Sequence, residues 1–508
     1  MSEIPVIERT YREEWLLRLQ GRENHPFVID GDRSLSFQGF YEKAVGLANA
    51  LSKIGVASGA DVAIRATRSL ESLLYLHALM LLGAKLWLLD AHLGAKGFLA
   101  NLHFKLAPDW IISNERFLEG KARNGGWEIA KKGEEFKALT PVDKVPSSSS
   151  LNAPKDFNCH QAGLIIFTSG STGTAKGAFL SQFNMLNHIE NFADAYDARD
   201  TDHDMQMLPL HHVYGLCLSL MAFRKGYWID FPEDISFPGI SKEIIAKDIS
   251  ILNTVPTYAL GLADYIKKEG ISFPSLRLGC LAGAPVTVGQ FSFIEETLGM
   301  NFYPVYGETE CIGISALRVG DPQQKRAATV GHWLKMGEYR IADENDNPLP
   351  DGKIGEVQLK SPAMFEGYYK DEAATKAVFT ADGYLHSGDL GYLDEGKYLH
   401  LTGRKKAIII KNGNNISAEK VEDALESLPF VESAAVVGRN SESKGEEVCA
   451  YIVLKQGEQA NEEKIRDALA GSLFKNEIPD VILFGEKMLL NSSLKKDKPK
   501  IKALFGAK

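Results

Sequence analysis

One segment constrains this chain more than any other. Residues 167–177 read Phe167-Thr168-Ser169-Gly170-Ser171-Thr172-Gly173-Thr174-Ala175-Lys176-Gly177, directly after the apolar run Leu164-Ile165-Ile166 and before Ala178-Phe179-Leu180. Eleven residues therefore hold five hydroxyls, three glycines and one lysine between two strand-like runs, a placement that disfavours a free Ser/Gly linker. Glycines let backbone approach a ligand closely, and turned N–H groups form a nest for anions. Hydroxyls add rotatable donors and the lysine a point positive charge. The ligand chemistry such a loop suits is a polyphosphate. The pattern is not the nucleotide-triphosphatase loop, which needs Gly-Lys-Ser/Thr, because Ala175 precedes Lys176 and Gly177 follows it.

Around this loop, helical patterns alternate with short aliphatic or β-branched runs, which predicts an α/β fold. Residues 40–54 read as an amphipathic helix and residues 61–64 as a strand. The apolar run 73–89 contains His77 and Lys85 and is too short for a confident membrane span. It reads as a buried helix ending at Gly83, followed by a strand. Near Leu401 the texture changes. An apolar run at 407–410, a turn at Asn412-Gly413, a helix over 417–428, strands over 431–437 and 447–454 and a helix from Asn461 fill a stretch long enough for a small α+β domain. The division predicted is residues 1–402 as a large N-terminal domain of α/β subdomains and residues 403–508 as a small C-terminal domain.

The bulk numbers exclude several classes. A chain of 508 residues with 44% hydrophobic and 24% charged content is an ordinary globular one with sizeable cores. A net charge of −9 disfavours nucleic acid as a partner. Five widely spaced cysteines with no Cys-x-x-Cys pair read as buried thiols in a reducing compartment. No basic start followed by an apolar core marks a secretory leader, so the expectation is a soluble cytoplasmic protein with no stable membrane insertion.

Four further segments carry reactive side chains. Tyr306-Gly307-Glu308-Thr309-Glu310 puts an aromatic, a hydroxyl and two carboxylates in one turn, and Ser387-Gly388-Asp389-Leu390-Gly391 presents a carboxylate between glycines, suited to paired sugar hydroxyls. Pro209-Leu210-His211-His212-Val213-Tyr214-Gly215 brings two histidines to a turn, and Gly283-Ala284-Pro285 is a small-residue bend. Singly, each has a bland reading: an aspartate between glycines is usually a turn residue, and paired histidines are more often structural.

In this order and combination they resemble the adenylate-forming superfamily, which includes acyl- and aryl-CoA ligases, firefly luciferase and nonribosomal-peptide adenylation domains. The resemblance runs from about residue 35 to the C-terminus and is strongest at residues 168–177, 306–310, 387–390 and 403–422. It implies ATP, Mg²⁺ and coenzyme A as cofactor or co-substrates and a small carboxylic acid as substrate. It also implies a mobile C-terminal domain. The loop with Thr168, Ser169, Gly170, Ser171, Thr172, Gly173, Thr174 and Lys176 would hold the β- and γ-phosphates. Tyr306 and Gly307, with Gly283, Ala284 and Pro285, would form the adenine pocket. Thr309 would touch the α-phosphate, Glu310 would ligate Mg²⁺, and Asp389 assisted by Arg404 would bind the ribose. His212 matches a histidine near the carboxylate substrate, and Lys406 a hinge; Ala407 departs from the acidic residue many ligases carry after it.

The family's catalytic lysine follows a glycine near the C-terminus. Here Pro499-Lys500-Ile501-Lys502 is the nearest match, with proline in the glycine's place, and it makes Lys500 the candidate and Lys498 its competitor. The alternative is that the lysine-rich stretch is a solvated face. Between Met205 and Leu220 there is no Asp or Glu to hold an ammonium, which disfavours amino acids. Val213, Tyr214, Leu216, Leu218, Leu220, Val255, Tyr258 and Phe302 favour an apolar fatty or aromatic acid. The acceptor is coenzyme A or the phosphopantetheine arm of an acyl carrier protein. A degenerate nucleotide-binding protein is the non-enzymatic alternative.

Overall fold

The computed structural model describes residues 4–90, 108–114, 127–131, 137–152, 157–168, 176–283, 286–405, 408–411, 414–441, 444–470, 472–490 and 495–506. The apolar run at 73–89 divides as its pattern predicts. A helix, Leu70–Leu82, ends on Gly83 at φ 74°, and the strand Lys85–Asp90 follows. Twelve of the thirteen helix residues are buried, so the helix is apolar all round and shows no stripe. The predicted helix at 40–54 is Phe37–Lys53, started by Ser36, whose hydroxyl accepts from Gly39 N; the strand at 61–64 is Asp61–Ala66.

Asp61–Ala66 is at the centre of an eight-stranded sheet. It pairs in parallel with Lys85–Asp90 and Trp110–Asn114, and Lys85–Asp90 pairs in parallel with Gly163–Thr168. Lys176–Ser181 then runs antiparallel to Gly163–Thr168, with Gly367–Tyr368 antiparallel beyond it. The hydroxyl-rich loop thus leaves the carboxyl end of a parallel strand, the edge at which α/β sheets gather ligands. A second sheet joins His203–Met205, Trp228–Phe231 and Pro26–Asp30 in parallel, with Arg33–Ser36 antiparallel at its edge. Isolated bridges from Asp204 to Ile251 and from Ile251 to Leu278 extend it toward Leu278–Gly279 and Asn301–Phe302. Glu338–Ala342, Gly355–Lys360, Leu385–Leu393 and Leu399–Arg404 form an antiparallel third sheet.

The C-terminal part is built on the hairpin Val431–Ser441 and Gly445–Leu454, with Val481–Gly485 parallel to the second strand. The helices Ala418–Glu426, Glu462–Leu469 and Lys498–Gly506 accompany it. Its buried apolar residues, from Ile409 to Phe505, form clusters of their own, while the clusters of the larger part end at Leu399. Two hydrophobic cores therefore lie on either side of residues 400–408, as a large N-terminal and a small C-terminal domain. All five cysteines are free and buried. No helix among the described residues is long and apolar enough to cross a membrane.

The large core contains a histidine that makes it sensitive to acid. His77 is fully buried among Trp15, Phe27, Phe40 and Phe223. Its Nδ1 lies 2.9 Å from the Tyr11 hydroxyl and accepts from Trp15 Nε1 at 3.2 Å, so the neutral ring is the form that fits. Burial lowers its pKa to about 3. A histidine depressed in the fold contributes stability fully above its unfolded pKa of about 6.5, and that contribution is lost as pH falls toward 3. His77→Phe is expected to flatten the melting-temperature profile between about pH 6.5 and 3. At neutral pH it costs about 1–3 kcal/mol by stranding the Tyr11 and Trp15 donors. Melting curves across that range test both effects.

Candidate active site

A cleft of about 3140 Å³ is lined by both domains. On its floor the strands Leu385–Leu393 and Leu399–Arg404 set Asp389 opposite Arg404. Arg404 Nε stands 2.8 Å from Asp389 Oδ1, while the Tyr306 hydroxyl donates to Oδ2 at 2.7 Å. Tyr306 arrives on a different short strand, Val305–Tyr306. Ser387 Oγ accepts from Asp389 N at 3.0 Å, and Glu356 Oε1 accepts from Gly388 N at 3.2 Å, with Gly388 at φ 73°. One carboxylate is thereby fixed by three segments, and Asp389 keeps the Arg404 guanidinium firmly charged.

Beside it is a carboxylate pair. Glu310 Oε1 accepts from the Tyr368 hydroxyl at 2.6 Å, and Lys176 Nζ lies 4.8 Å from the Tyr368 ring centroid. Tyr368 therefore links the lysine at the end of the hydroxyl-rich loop to the Tyr306–Glu310 turn. Glu308 has an enclosed Oε1 with no hydrogen-bond partner. Burial, then the neighbouring Glu310 and Asp389 charges, push its carboxyl well above the usual range.

The opposite wall is apolar. His212 is the N-cap residue of the helix Val213–Lys225, which puts it at the positive end of that helix. Tyr214 in the first turn donates to Cys280 O at 2.9 Å and so ties the helix to the segment that ends at Gly283. Asn253 braces the same segment: its Oδ1 accepts from Cys280 N at 2.8 Å and from Tyr196 at 3.1 Å. Gly283 lies at φ 93°, where a side chain would be strained.

Nine of the predicted residues meet in this cleft. Lys176, His212, Gly283, Tyr306, Gly307, Thr309, Glu310, Asp389 and Arg404 all line it. Ser169, Gly170, Ser171, Thr172, Gly173, Thr174, Ala284, Pro285 and Lys406 lie outside the described residues, as does the side chain of Thr168. Of the residues expected to line an acid pocket, Val213, Tyr214, Leu218, Val255 and Tyr258 do so. Leu216, Leu220 and Phe302 are instead buried in the core.

The structure sets Lys500 away from the cleft. In the helix Lys498–Gly506, Ile501 and Phe505 are buried against Val437 and Cys449, and Lys498 and Lys502 line the cleft. Helical phase turns Lys500 outward, where it is exposed and no part of the cleft wall. Lys495 lines the cleft instead, its Cε 3.9 Å from where a Cβ on Gly283 would stand. Although the side chain reaches water, the cleft walls desolvate its ammonium, and with Arg404 they lower its pKa against the opposing pull of Asp389. Only part of the lysine-rich stretch is solvated, with Lys495, Lys500 and Lys502 exposed. Lys496 Nζ reaches Glu426 at 2.8 Å and Lys498 Nζ reaches Glu422 at 2.8 Å. Sequence reasoning searched for a Gly-Lys pair, and Leu494-Lys495 has none. The small polar run Asn491-Ser492-Ser493 before it was the available signal. Tyr368 gave no signal at all.

Comparison with known proteins fits this geometry. The family model "AMP-binding enzyme" matches residues 17–369, and "AMP-binding enzyme C-terminal domain" matches residues 420–496. The chain belongs to the AMP-binding enzyme family. Among curated relatives, the 2-succinylbenzoate–CoA ligase of Bacillus cytotoxicus is 27% identical over 94% of this chain and 95% of its own. The sulfoacetate–CoA ligase of Cupriavidus necator is 30% identical over 63% of each. The chain spans just under two thirds of that ligase and 66% of YngI of Bacillus subtilis. Among solved structures, ATP-bound MatB from Rhodopseudomonas palustris superposes with a TM-score of 0.84 at 22% identity, covering 97% of this chain and 99% of that one. The o-succinylbenzoate CoA synthetase MenE from Bacillus subtilis, in complex with its acyl-adenylate intermediate, gives 0.82 at 23%, covering 99% of each. These two likenesses establish the mixed α/β fold.

The charged helix face beside the cleft titrates in a useful range. Although the Asp423 side chain is exposed, partial desolvation by the cleft walls, with Glu426 and Glu422 nearby, raises its pKa to about 6, against the partial offset of Lys496. A carboxyl raised in the fold binds its proton more tightly than the unfolded chain does. Stability from this group therefore falls as pH rises from about 4 to about 6, and above 6 the penalty is constant. Asp423→Asn is expected to match the wild type near pH 4 and to melt about 1–3 °C higher at pH 8, by calorimetry.

Proposed function

We propose that the protein is an AMP-forming acid–thiol ligase. It activates an apolar fatty or aromatic acid with ATP, releases pyrophosphate and passes the acyl group to the thiol of coenzyme A. The observation that carries this reading is the cleft itself, where Lys176, Arg404, Lys495 and the fixed carboxylate of Asp389 share a space with a largely apolar wall between two domains. The names of the curated relatives, CoA ligases for acids, support coenzyme A as acceptor. Five free, buried cysteines support a reducing compartment, the cytoplasm.

The reaction brings two anions together, so its requirement is positioning and charge neutralisation rather than an enzyme nucleophile. Lys176, with the hydroxyls of its loop, holds the β- and γ-phosphates. Asp389 accepts from the ribose hydroxyls on the lone pairs that Tyr306 and Arg404 leave open. The Tyr306 ring and the side-chain-free edge at Gly283 and Gly307 flank the base. His212 and the start of its helix orient the acid carboxylate. Thr309 and Lys495 face the α-phosphate. Lys495 neutralises charge as the carboxylate oxygen bonds to phosphorus and the bond to the pyrophosphate oxygen breaks.

Glu310 and the buried, unpartnered Glu308 are an all-oxygen donor set that fits Mg²⁺. When bound, that ion supplies charge neutralisation for the phosphates. In the second half-reaction the thiol sulfur attacks the acyl carbon, the carbon–oxygen bond to phosphate breaks, AMP leaves and the thiol proton passes to solvent. We place the domain boundary at 402/403, beside Gly403 at φ 141°, and the rotation that removes Lys495 between half-reactions at Lys406.

Pyrophosphate release with ATP, Mg²⁺ and a panel of acids, with and without coenzyme A, tests the reading. Turnover that requires an apolar acid and rises with coenzyme A supports it. Acid-dependent release that ignores coenzyme A points to a carrier-protein arm, and no acid dependence refutes it. In the same assay Lys495→Ala is expected to slow adenylation about 100- to 1000-fold. Lys500→Ala is expected to remain within about threefold of wild type, as befits an exposed surface change. The reverse ranking would return the catalytic role to Lys500.

A further inference from the structure

The helix Gln182–Ala193 presents two rings to the cleft, four residues apart. His188 and Phe192 are stacked at 13° with centroids 6.0 Å apart, and both line the wall. His188 is 2% exposed, and its Nδ1 is enclosed with no hydrogen-bond partner. His77 in the core meets Tyr11 and Trp15 with its Nδ1 but likewise encloses an unpartnered Nε2, so what distinguishes His188 is its place on the cleft wall. Gly313, also on the cleft wall, makes room for the His188 ring. A Cβ at 313 would lie 2.8 Å from His188 Cε1 and 3.1 Å from Nδ1. The polar edge of the imidazole is thus admitted against a glycine rather than covered by a side chain.

Enclosing a polar nitrogen without a partner costs about 1–3 kcal/mol, and a leucine or phenylalanine would line an apolar wall without that cost. Burial lowers the His188 pKa to about 3, so the ring is neutral at physiological pH. A neutral imidazole offers one N–H donor and one bare acceptor nitrogen. It matches an uncharged oxygen such as a hydroxyl or carbonyl, and it supplies no charge to neutralise a second carboxylate. Phe192, Gly313, Cys217 and Leu218, which line the cleft with it, supply none either.

We infer that the activated acid carries, on its hydrocarbon body away from the reacting carboxylate, one uncharged hydroxyl or carbonyl oxygen that hydrogen-bonds to His188, which makes His188 a specificity-determining residue. The inference rests on the acid-activating reading above. The 2-succinylbenzoate and sulfoacetate ligases are named for acids that bear a second acidic group, to which a neutral His188 offers no charge, although 2-succinylbenzoate also carries an uncharged keto oxygen of the kind inferred here.

The test is kcat/KM for pyrophosphate release with matched acids that differ by one oxygen. 3-Phenylpropanoate against 3-(4-hydroxyphenyl)propanoate and octanoate against its hydroxy and oxo derivatives are suitable sets, each run on wild type, His188→Leu and His188→Gln. The wild type is expected to prefer the oxygen-bearing member of at least one set by about 10- to 100-fold. His188→Leu should erase that preference while leaving the oxygen-free acid as good or better. His188→Gln, which keeps an uncharged donor and acceptor, should retain part of it. A wild type with no such preference, a preference that survives His188→Leu, or loss of both acids in both variants would overturn the inference and leave acid activation standing. Failure of the wild type to activate any acid would overturn both readings.

Discussion

The carboxylate of Asp389 holds the cleft together. Its two oxygens are taken by side chains from different parts of the chain, Arg404 at the exit toward the small domain and Tyr306 on the opposite strand pair. Ser387 and Glu356 fix the backbone beneath it. Because Asp389 is buried, these charge-assisted hydrogen bonds act in a medium less polar than water and resist rearrangement. Remove the carboxylate, and the aromatic ring, the guanidinium and the interdomain strand lose their common point of reference.

The charge distribution of the cleft follows from that anchor. Glu308, Glu310 and Asp389 share the cleft with Lys176, Arg404 and Lys495, Lys176 lying over the Tyr368 ring that bonds Glu310. Three acids this close repel, and Glu308 bears most of the strain through burial without a partner. Such an arrangement is costly, and in the proposed function a cation and a polyphosphate offset that cost. The wall around Val213, Tyr214 and His188 is mostly apolar, with Arg68 near Met207 and Tyr258, so the two halves of the cleft differ in chemistry.

Local chemistry made much of this legible in the sequence. The helix ending at Gly83, the strand after it and the strands flanking the hydroxyl-rich loop were readable because each is decided by residues within a few positions. Tyr306, Glu310 and Asp389 stood in short motifs whose combination is specific. The place of Lys495 in the cleft was not readable, because it depends on how the small domain docks and on the phase of a helix that begins three residues later. Tyr368 and His188 were hidden for a related reason. Each sits in an ordinary strand or helix, and only packing from distant segments brings Tyr368 to Glu310 or leaves His188 without a partner.

The account's central claim is that the acid's own oxygen attacks the α-phosphorus of ATP, and an isotope experiment addresses it most directly. A turned-over acid labelled in both carboxylate oxygens with oxygen-18 would be incubated with the protein, ATP, Mg²⁺ and coenzyme A, and the nucleotide product weighed by mass spectrometry. The account predicts AMP bearing one heavy oxygen per turnover, because the attacking oxygen stays on phosphorus when the thiol takes the acyl group. ADP as product, with the label in inorganic phosphate, would contradict it.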